Sequence, residues 1–126
     1  MILVDSSVWI DYLRSGDARL AHMLDSGVVL AHPWVTGELA LGHLRQRDEV
    51  IGLLNCLPQA TPATAAEILV FTERNRLHGI GIGYVDAQLL AATKLTPDTM
   101  LWTKDRCLAE AASRLGTAFH PRAQAD

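Results

Sequence analysis

Three short apolar runs govern what this chain can fold into: Ile2-Leu3-Val4, Val28-Val29-Leu30 and Thr99-Met100-Leu101-Trp102. Each is too short for a helix, uninterrupted by polar residues apart from its threonine, and separated from the next by stretches with helical patterning. Strands buried on one face alternate apolar and polar residues, whereas strands buried on both faces are apolar throughout. Helices alternating with such strands imply a parallel sheet covered on both sides. The length, 126 residues, suits one compact domain, and a 49% hydrophobic composition is enough to fill its core.

The remaining elements follow from local signals. Ser6 is a candidate N-cap for a helix over Ser7–Arg14 that buries Val8, Ile10 and Leu13. A second helix spans Ala18–Leu24 and ends near Gly27. Pro33 suits the first turn of a helix reaching about Leu44. Further helices are expected at Asp48–Leu57, stopped by Pro58, and at Ala63–Leu77, closed by Gly79 and Gly81. Two more cover Gly83–Leu95 and Arg106–Leu115. Extended pieces are expected at Gln59-Ala60 and Thr117–Phe119, with a frayed tail from Pro121. No repeat or long linker divides residues 1–126, so a single domain is expected.

Composition excludes several classes of function. No segment nears the ~20 apolar residues of a membrane span, and Met1-Ile2-Leu3-Val4-Asp5 lacks the basic start of a secretory leader. Cys56 and Cys107 have no metal-type spacing and read as two unpaired thiols. A cytoplasmic protein without a membrane association is expected. The net charge of −3 argues against a protein that merely coats phosphate backbone. It is compatible with an enzyme in which carboxylate-bound cations supply the positive charge.

Four of the fourteen acids stand at unusual places. Asp5 ends an apolar strand, and Glu38 lies within the apolar helix Trp34-Val35-Thr36-Gly37-Glu38-Leu39-Ala40-Leu41. Asp86 opens the helix Tyr84-Val85-Asp86-Ala87-Gln88-Leu89-Leu90, and Asp105 follows a strand by two residues. Strand ends put Asp5 and Asp105 at one edge of a parallel sheet, where ligands gather in this architecture. Clustered carboxylates repel and raise one another's pKa unless a cation intervenes. Mg²⁺ or Mn²⁺ suits oxygen ligands and can activate water against a phosphodiester. Each acid also has a plainer reading: helix caps for Asp5, Asp86 and Asp105, a solvent-facing position for Glu38. It is the four together that point to a metal site.

At these residues the chain resembles the PIN-domain family, and within it the VapC toxins. The resemblance begins at Val4-Asp5-Ser6-Ser7-Val8-Trp9-Ile10-Asp11-Tyr12-Leu13 and continues through the Glu38 helix. It resumes at Gly83-Tyr84-Val85-Asp86-Ala87-Gln88-Leu89-Leu90-Ala91-Ala92 and closes at Leu101-Trp102-Thr103-Lys104-Asp105-Arg106-Cys107-Leu108. It implies an α/β/α sandwich with a central, mainly parallel sheet and metal-dependent RNA cleavage. Asp5, Glu38, Asp86 and Asp105 would be the acidic metal-binding and catalytic residues, with Ser6 and Thr103 in support. The resemblance further implies the toxin of a type II toxin–antitoxin system, a homodimer inhibited by a VapB-type antitoxin, and an RNA substrate such as tRNA or rRNA.

Other features stay open at this level. Arg45, Arg47, Arg74, Arg76, Lys104 and Arg106 are candidates for phosphate or antitoxin contacts, against the plainer reading of solvated helix faces. His22, His32, His43, His78 and His120 show no ligand spacing and read as surface or core residues. Trp9, Trp34 and Trp102 read as core or interface anchors. A phosphoryl-aspartate hydrolase would need a second acid where Ser7 stands, and a response-regulator receiver an Asp after a middle strand. The alternative that survives is a non-catalytic protein-binding module with the same fold.

Overall fold

A computed structural model describes residues 1–121. In chain order the elements are β1 (Ile2–Val4), α1 (Ser6–Ser15), α2 (Ala18–Asp25), β2 (Val29–Leu30), α3 (Pro33–Ala40) and α4 (Arg47–Cys56). They continue with α5 (Ala65–Asn75), α6 (Tyr84–Leu95), β3 (Met100–Trp102) and α7 (Arg106–Arg114). The strands form one parallel sheet in the order β2-β1-β3. Leu3 lies opposite Leu30 on one side and Leu101 on the other, and Val4 lies opposite Trp102.

Successive strand residues point to opposite faces of a sheet. Leu3 and Val4 are both 0% exposed, and Leu101 and Trp102 are 1% and 3%. Both faces are therefore covered, and the architecture is the α/β/α sandwich expected from the short apolar runs. Helix α6 is the most enclosed helix: Ala87, Gln88, Leu89, Leu90, Ala91, Ala92 and Thr93 are all buried. A helix buried all round belongs inside the fold rather than on its surface. Among the described residues no helix is long and apolar enough to cross a membrane, and Cys56 and Cys107 are free thiols.

Several expectations need adjustment. Helix α1 begins at Ser6, with Asp5 as its N-cap residue, because the Asp5 carbonyl already accepts from Val8 and Trp9. It buries Val8 and Trp9 and leaves Ile10 41% exposed. Helix α3 stops at Ala40, not Leu44. Leu41 donates to Glu38 and Gly42 to Leu39, bonds that tighten the last turn before the glycine. Helix α5 starts at Ala65, because Thr64 and Glu67 form a reciprocal capping box. The pieces at Gln59 and Ala118 join the sheet edges as single parallel bridges, to Ala31 and Leu101. Of the tail expected to fray, only Pro121 falls within the described residues.

One buried network ties three elements together. His32 is fully buried at the N-cap of α3, where its Nδ1 accepts from the Trp34 N–H at 3.0 Å. That assigns the ring proton to Nε2, which faces Gln88 Oε1 at 3.4 Å. Gln88 Oε1 also accepts from the Ala63 N–H, and its Nε2 donates to the Ala63 carbonyl, both at 2.8 Å. Burial pushes the His32 pKa down, opposed by the Gln88 bond, so the neutral ring suits its place. The network sets the start of α3, which carries Glu38, against the first turns of α6, which carry Asp86. Replacing Gln88 by leucine orphans the Ala63 amide and carbonyl together. We expect Gln88→Leu to lower the unfolding free energy in urea by about 3 kcal/mol, at 1–3 kcal/mol per orphaned buried group.

Candidate functional site

The carboxyl ends of β1 and β3 lie side by side, since the Asp5 N–H donates to the Trp102 carbonyl at 3.0 Å. Asp5 and the segment Thr103-Lys104-Asp105 therefore emerge at the same edge. Asp5 is 5% exposed and occupies the N-cap position of α1, yet its side chain makes no capping bond. Its Oδ2 instead accepts from two hydroxyls, Ser7 Oγ at 2.7 Å and Thr103 Oγ1 at 2.7 Å. Each hydroxyl also accepts a backbone N–H: Ser7 from Lys104 and Thr103 from Asp105, both at 3.0 Å. Both hydroxyls thus have their proton and a lone pair committed, which locks the Asp5 rotamer. Oδ1 has only a 3.4 Å contact with Ser6 Oγ, longer than a good O–H···O bond, so it remains available.

The other acids divide their oxygens in the same way. Asp86, in the first turn of α6, accepts from the Gly83 N–H through Oδ2 at 3.0 Å. Asp105 caps α7, accepting from the Leu108 N–H through Oδ1 at 2.9 Å. Capping and facing the site are compatible, because each carboxylate keeps a second oxygen. Three of the four acids sit at helix N-termini, where the macrodipole favours negative charge. Glu38 arrives from the last turn of α3; it and Asp105 are exposed, whereas Asp86 is half-buried.

Two of these acids are shifted by burial and by the charge of their neighbours. The Glu38 carboxyl lies above its ordinary value, first through partial desolvation and then through the charge of Asp5, with Asp86 adding a smaller push. A Ser6 hydroxyl contact works the other way. Asp86 is likewise raised, first by desolvation; the Gly83 N–H opposes this, while Asp5 and Asp105 both add to it. Among the described residues no group of three or more His, Cys, Asp or Glu side chains is arranged to hold a metal ion by itself. The candidate donors are carboxylate oxygens, a donor type that suits Mg²⁺, which needs only one or two carboxylates and retains several waters, and they lack the sulfur and nitrogen donors usual at structural zinc.

One residue of the site escaped sequence reasoning. Ser7, not singled out beside Ser6, makes the shorter bond to Asp5; its signal was its place in the first turn of α1, two residues beyond the acid. Lys104 connects the site to the surface: its Nζ lies 2.8 Å from Asp11 and 3.9 Å from Asp17, which also pairs with Arg19 at 2.9 Å. Of the other cations singled out, Arg106 pairs with Glu110 at 3.3 Å, and Arg47 donates to the Ala40 carbonyl at 3.0 Å. Trp9 and Trp102 are core residues, while half-buried Trp34 stacks at a tilt on Tyr84, ring centres 5.5 Å apart.

No family model matches the chain. It is 47% identical over 119 residues to Ribonuclease VapC32 of Mycobacterium tuberculosis, in both the CDC 1551 / Oshkosh and H37Rv strains. That match covers 94% of this chain and 96% of the relative. Among solved structures, FitAcB from Neisseria gonorrhoeae superposes with a TM-score of 0.61 at 22% identity, over 90% of this chain and 94% of that one. FitAB bound to an IR36 DNA fragment superposes with a TM-score of 0.61 at 21% identity, over 90% and 91% of the two chains. At such identities these two structures speak for the fold alone.

The hydroxyl cradle and the crowded acids each generate a test. Thr103→Val removes a donor to Asp5 and an acceptor for the Asp105 N–H, so it should cost about 1–3 kcal/mol in urea denaturation, with Thr103→Ser recovering most of it. A carboxyl with a raised folded-state pKa costs stability when ionised. That cost is absent below the ordinary carboxylate range and complete above the raised value. In EDTA at neutral pH, Asp86→Asn should therefore melt at a higher temperature than the parent. The gain should shrink as pH falls through the carboxylate range; a gain independent of pH would break the link to ionisation.

Proposed function

The chain belongs to the VapC family of ribonucleases, and from that premise we propose that it is the toxin of a type II toxin–antitoxin pair. In this reading residues 1–126 are one catalytic domain, an endoribonuclease dependent on Mg²⁺ or Mn²⁺ that cuts an RNA such as tRNA or rRNA. The observation that supports this reading is that Asp5 stands at the carboxyl end of β1 and adds its charge, after desolvation, to the upward shifts of Glu38 and Asp86, with Asp105 also raising Asp86. Family membership supports the remaining assignments: a VapB-type antitoxin as protein partner, and a homodimer as the assembly.

Asp5 and Asp86 are the acids we assign to direct metal contact, each through the oxygen that its hydroxyl or N–H partner leaves free. Asp105 is assigned to a second metal position or to contact through water. When bound, the ion would lower the pKa of water and offset charge on the phosphodiester. Ser7 and Thr103 position Asp5, with Ser6 as a weaker support. Glu38, whose carboxyl holds its proton more readily than an ordinary glutamate, is assigned to receive the proton of the attacking water.

The test is incubation of the purified chain with total cellular RNA and Mg²⁺ or Mn²⁺, beside EDTA and Asp5→Asn controls. Discrete fragments should appear only with metal. Asp5→Asn should reduce their rate by more than the roughly 10–100-fold typical of losing an outer-shell partner. Absence of cleavage with any metal, alongside retained binding of the antitoxin, would favour the protein-binding module instead.

A further inference from the structure

Leu41 is 91% exposed, the most exposed large hydrophobic residue described; Leu69 follows at 66% and Val70 at 57%. A single exposed leucine is ordinary on a protein surface, so its position is what matters. Leu41 is the C-cap of α3 and keeps helical geometry, with φ −79° and ψ −15°. It stands three residues after Glu38. Residues three apart share a helix face, and the rise between them is about 4.5 Å. The bare leucine side chain is thus one turn beyond a candidate catalytic carboxylate, on the same side of the helix.

The chain then runs Gly42-His43-Leu44-Arg45-Gln46-Arg47 into α4. This connection has a definite shape. Gln46 adopts the left-handed conformation at φ 51°, unusual for a side chain of this kind, and Arg47 Nη2 closes the loop onto the Ala40 carbonyl at 3.0 Å. His43 and Arg45 are both exposed, and neither makes an ion pair or side-chain hydrogen bond among the described residues. Asp48 and Glu49 follow in the first turn of α4, a favourable place for acids, and neither pairs with Arg45 among the described residues. The segment 39–47 itself holds no acid in a chain of net charge −3. The other exposed apolar patch, Leu69 and Val70 on α5, differs. Glu67, Glu73 and Arg74 share its surroundings, and none of the four site acids lies on that helix.

We propose that the segment Leu41–Arg45 is a substrate-gripping surface for single-stranded RNA: Leu41 packs against a base or ribose beside the cut bond, and Arg45 meets a neighbouring phosphate. The proposal rests on the ribonuclease reading. An unpaired strand offers separate base faces and backbone charges, and nonspecific readers of such strands combine aromatic stacking with cations along the backbone. The segment supplies the cation and, in place of an aromatic ring, an aliphatic side chain that a base or ribose can cover, next to acids that would by themselves repel phosphate.

The experiment measures binding of a fluorescent mixed-sequence single-stranded RNA to Asp5→Asn protein with Mg²⁺, across a series of KCl concentrations. Leu41→Ser and Arg45→Ala are added singly to that background, and the same substitutions in the active chain are assayed for cleavage. Both sites are exposed and outside the core, so folding should survive, which circular dichroism would verify. Arg45→Ala should weaken binding and flatten the slope of log K against log salt by about 0.7, the loss of one single-strand phosphate contact. Leu41→Ser should weaken binding on the order of fivefold with the slope unchanged, as loss of an apolar contact requires. In the active chain both should raise KM more than they lower kcat.

Unchanged affinity and slope in both variants, with the parent chain still cutting RNA, would overturn the proposal and leave the ribonuclease reading standing. Intact RNA binding with weakened antitoxin binding would overturn it in favour of a protein-contact surface. If the parent chain neither cut nor bound RNA under any metal, the ribonuclease reading would fall, and the proposal with it.

Discussion

The bond between the Thr103 hydroxyl and the Asp5 carboxylate joins the carboxyl ends of two adjacent parallel strands, and much of the structure is arranged around it. Asp5 leaves the central strand with a charge that burial disfavours. Ser7 and Thr103 meet it from either side, each held in turn by a backbone N–H of the β3–α7 connection. The same contacts hold the start of α1 against the β3–α7 connection, whose last residue, Asp105, caps α7. Removing one hydroxyl therefore disturbs a carboxylate, a strand end and a helix cap at once. Residues that stabilise the fold and residues that orient the acids are here largely the same residues.

What could be read from the sequence was what depends on local pattern. The apolar runs announced strands buried on both faces, and Leu3, Val4, Leu101 and Trp102 are buried accordingly. Helix order and the expected free thiols also followed. Asp5, Glu38, Asp86 and Asp105 could be nominated individually, yet each retained a capping or surface reading, and Asp105 does cap its helix. Family resemblance, more than spacing, was what gathered them. Features dependent on distant partners left no local trace. Gln88 looks like any polar residue on a helix, and only the Ala63 backbone 25 residues away explains why it is buried. Ser7 was passed over because its second partner, Lys104, lies 97 positions on. The end of α3 was misplaced because an apolar pattern continues through Leu41 and Leu44 after the backbone has turned.

Charge is distributed as unevenly as burial. Acids gather at the strand ends under the positive poles of three helices, while cations near them are largely engaged: Lys104 with Asp11, Arg19 with Asp17 and, at 5.4 Å, with the Trp102 ring. The exposed pair Lys104–Asp11 adds little stability by itself. The effect of these pairings is to limit how much positive charge reaches the carboxylates from the protein itself. The Glu38 and Asp86 carboxyls are both raised, first by partial desolvation and then by the charges of neighbouring acids.

The strand order has a consequence in time. The central strand is made early, but its partner β3 and the Thr103 hydroxyl that secures Asp5 come 98 positions later. At ribosomal speeds of about 5–20 residues per second, that separation corresponds to roughly 5–20 s of synthesis. During this interval Asp5 lacks one of its two hydroxyl partners, and the sheet lacks one of its flanking strands. Pairings so distant in sequence also form slowly once available. The parallel pairing of β1 with β3 and the full hydroxyl cradle of Asp5 thus wait on 98 further residues of synthesis.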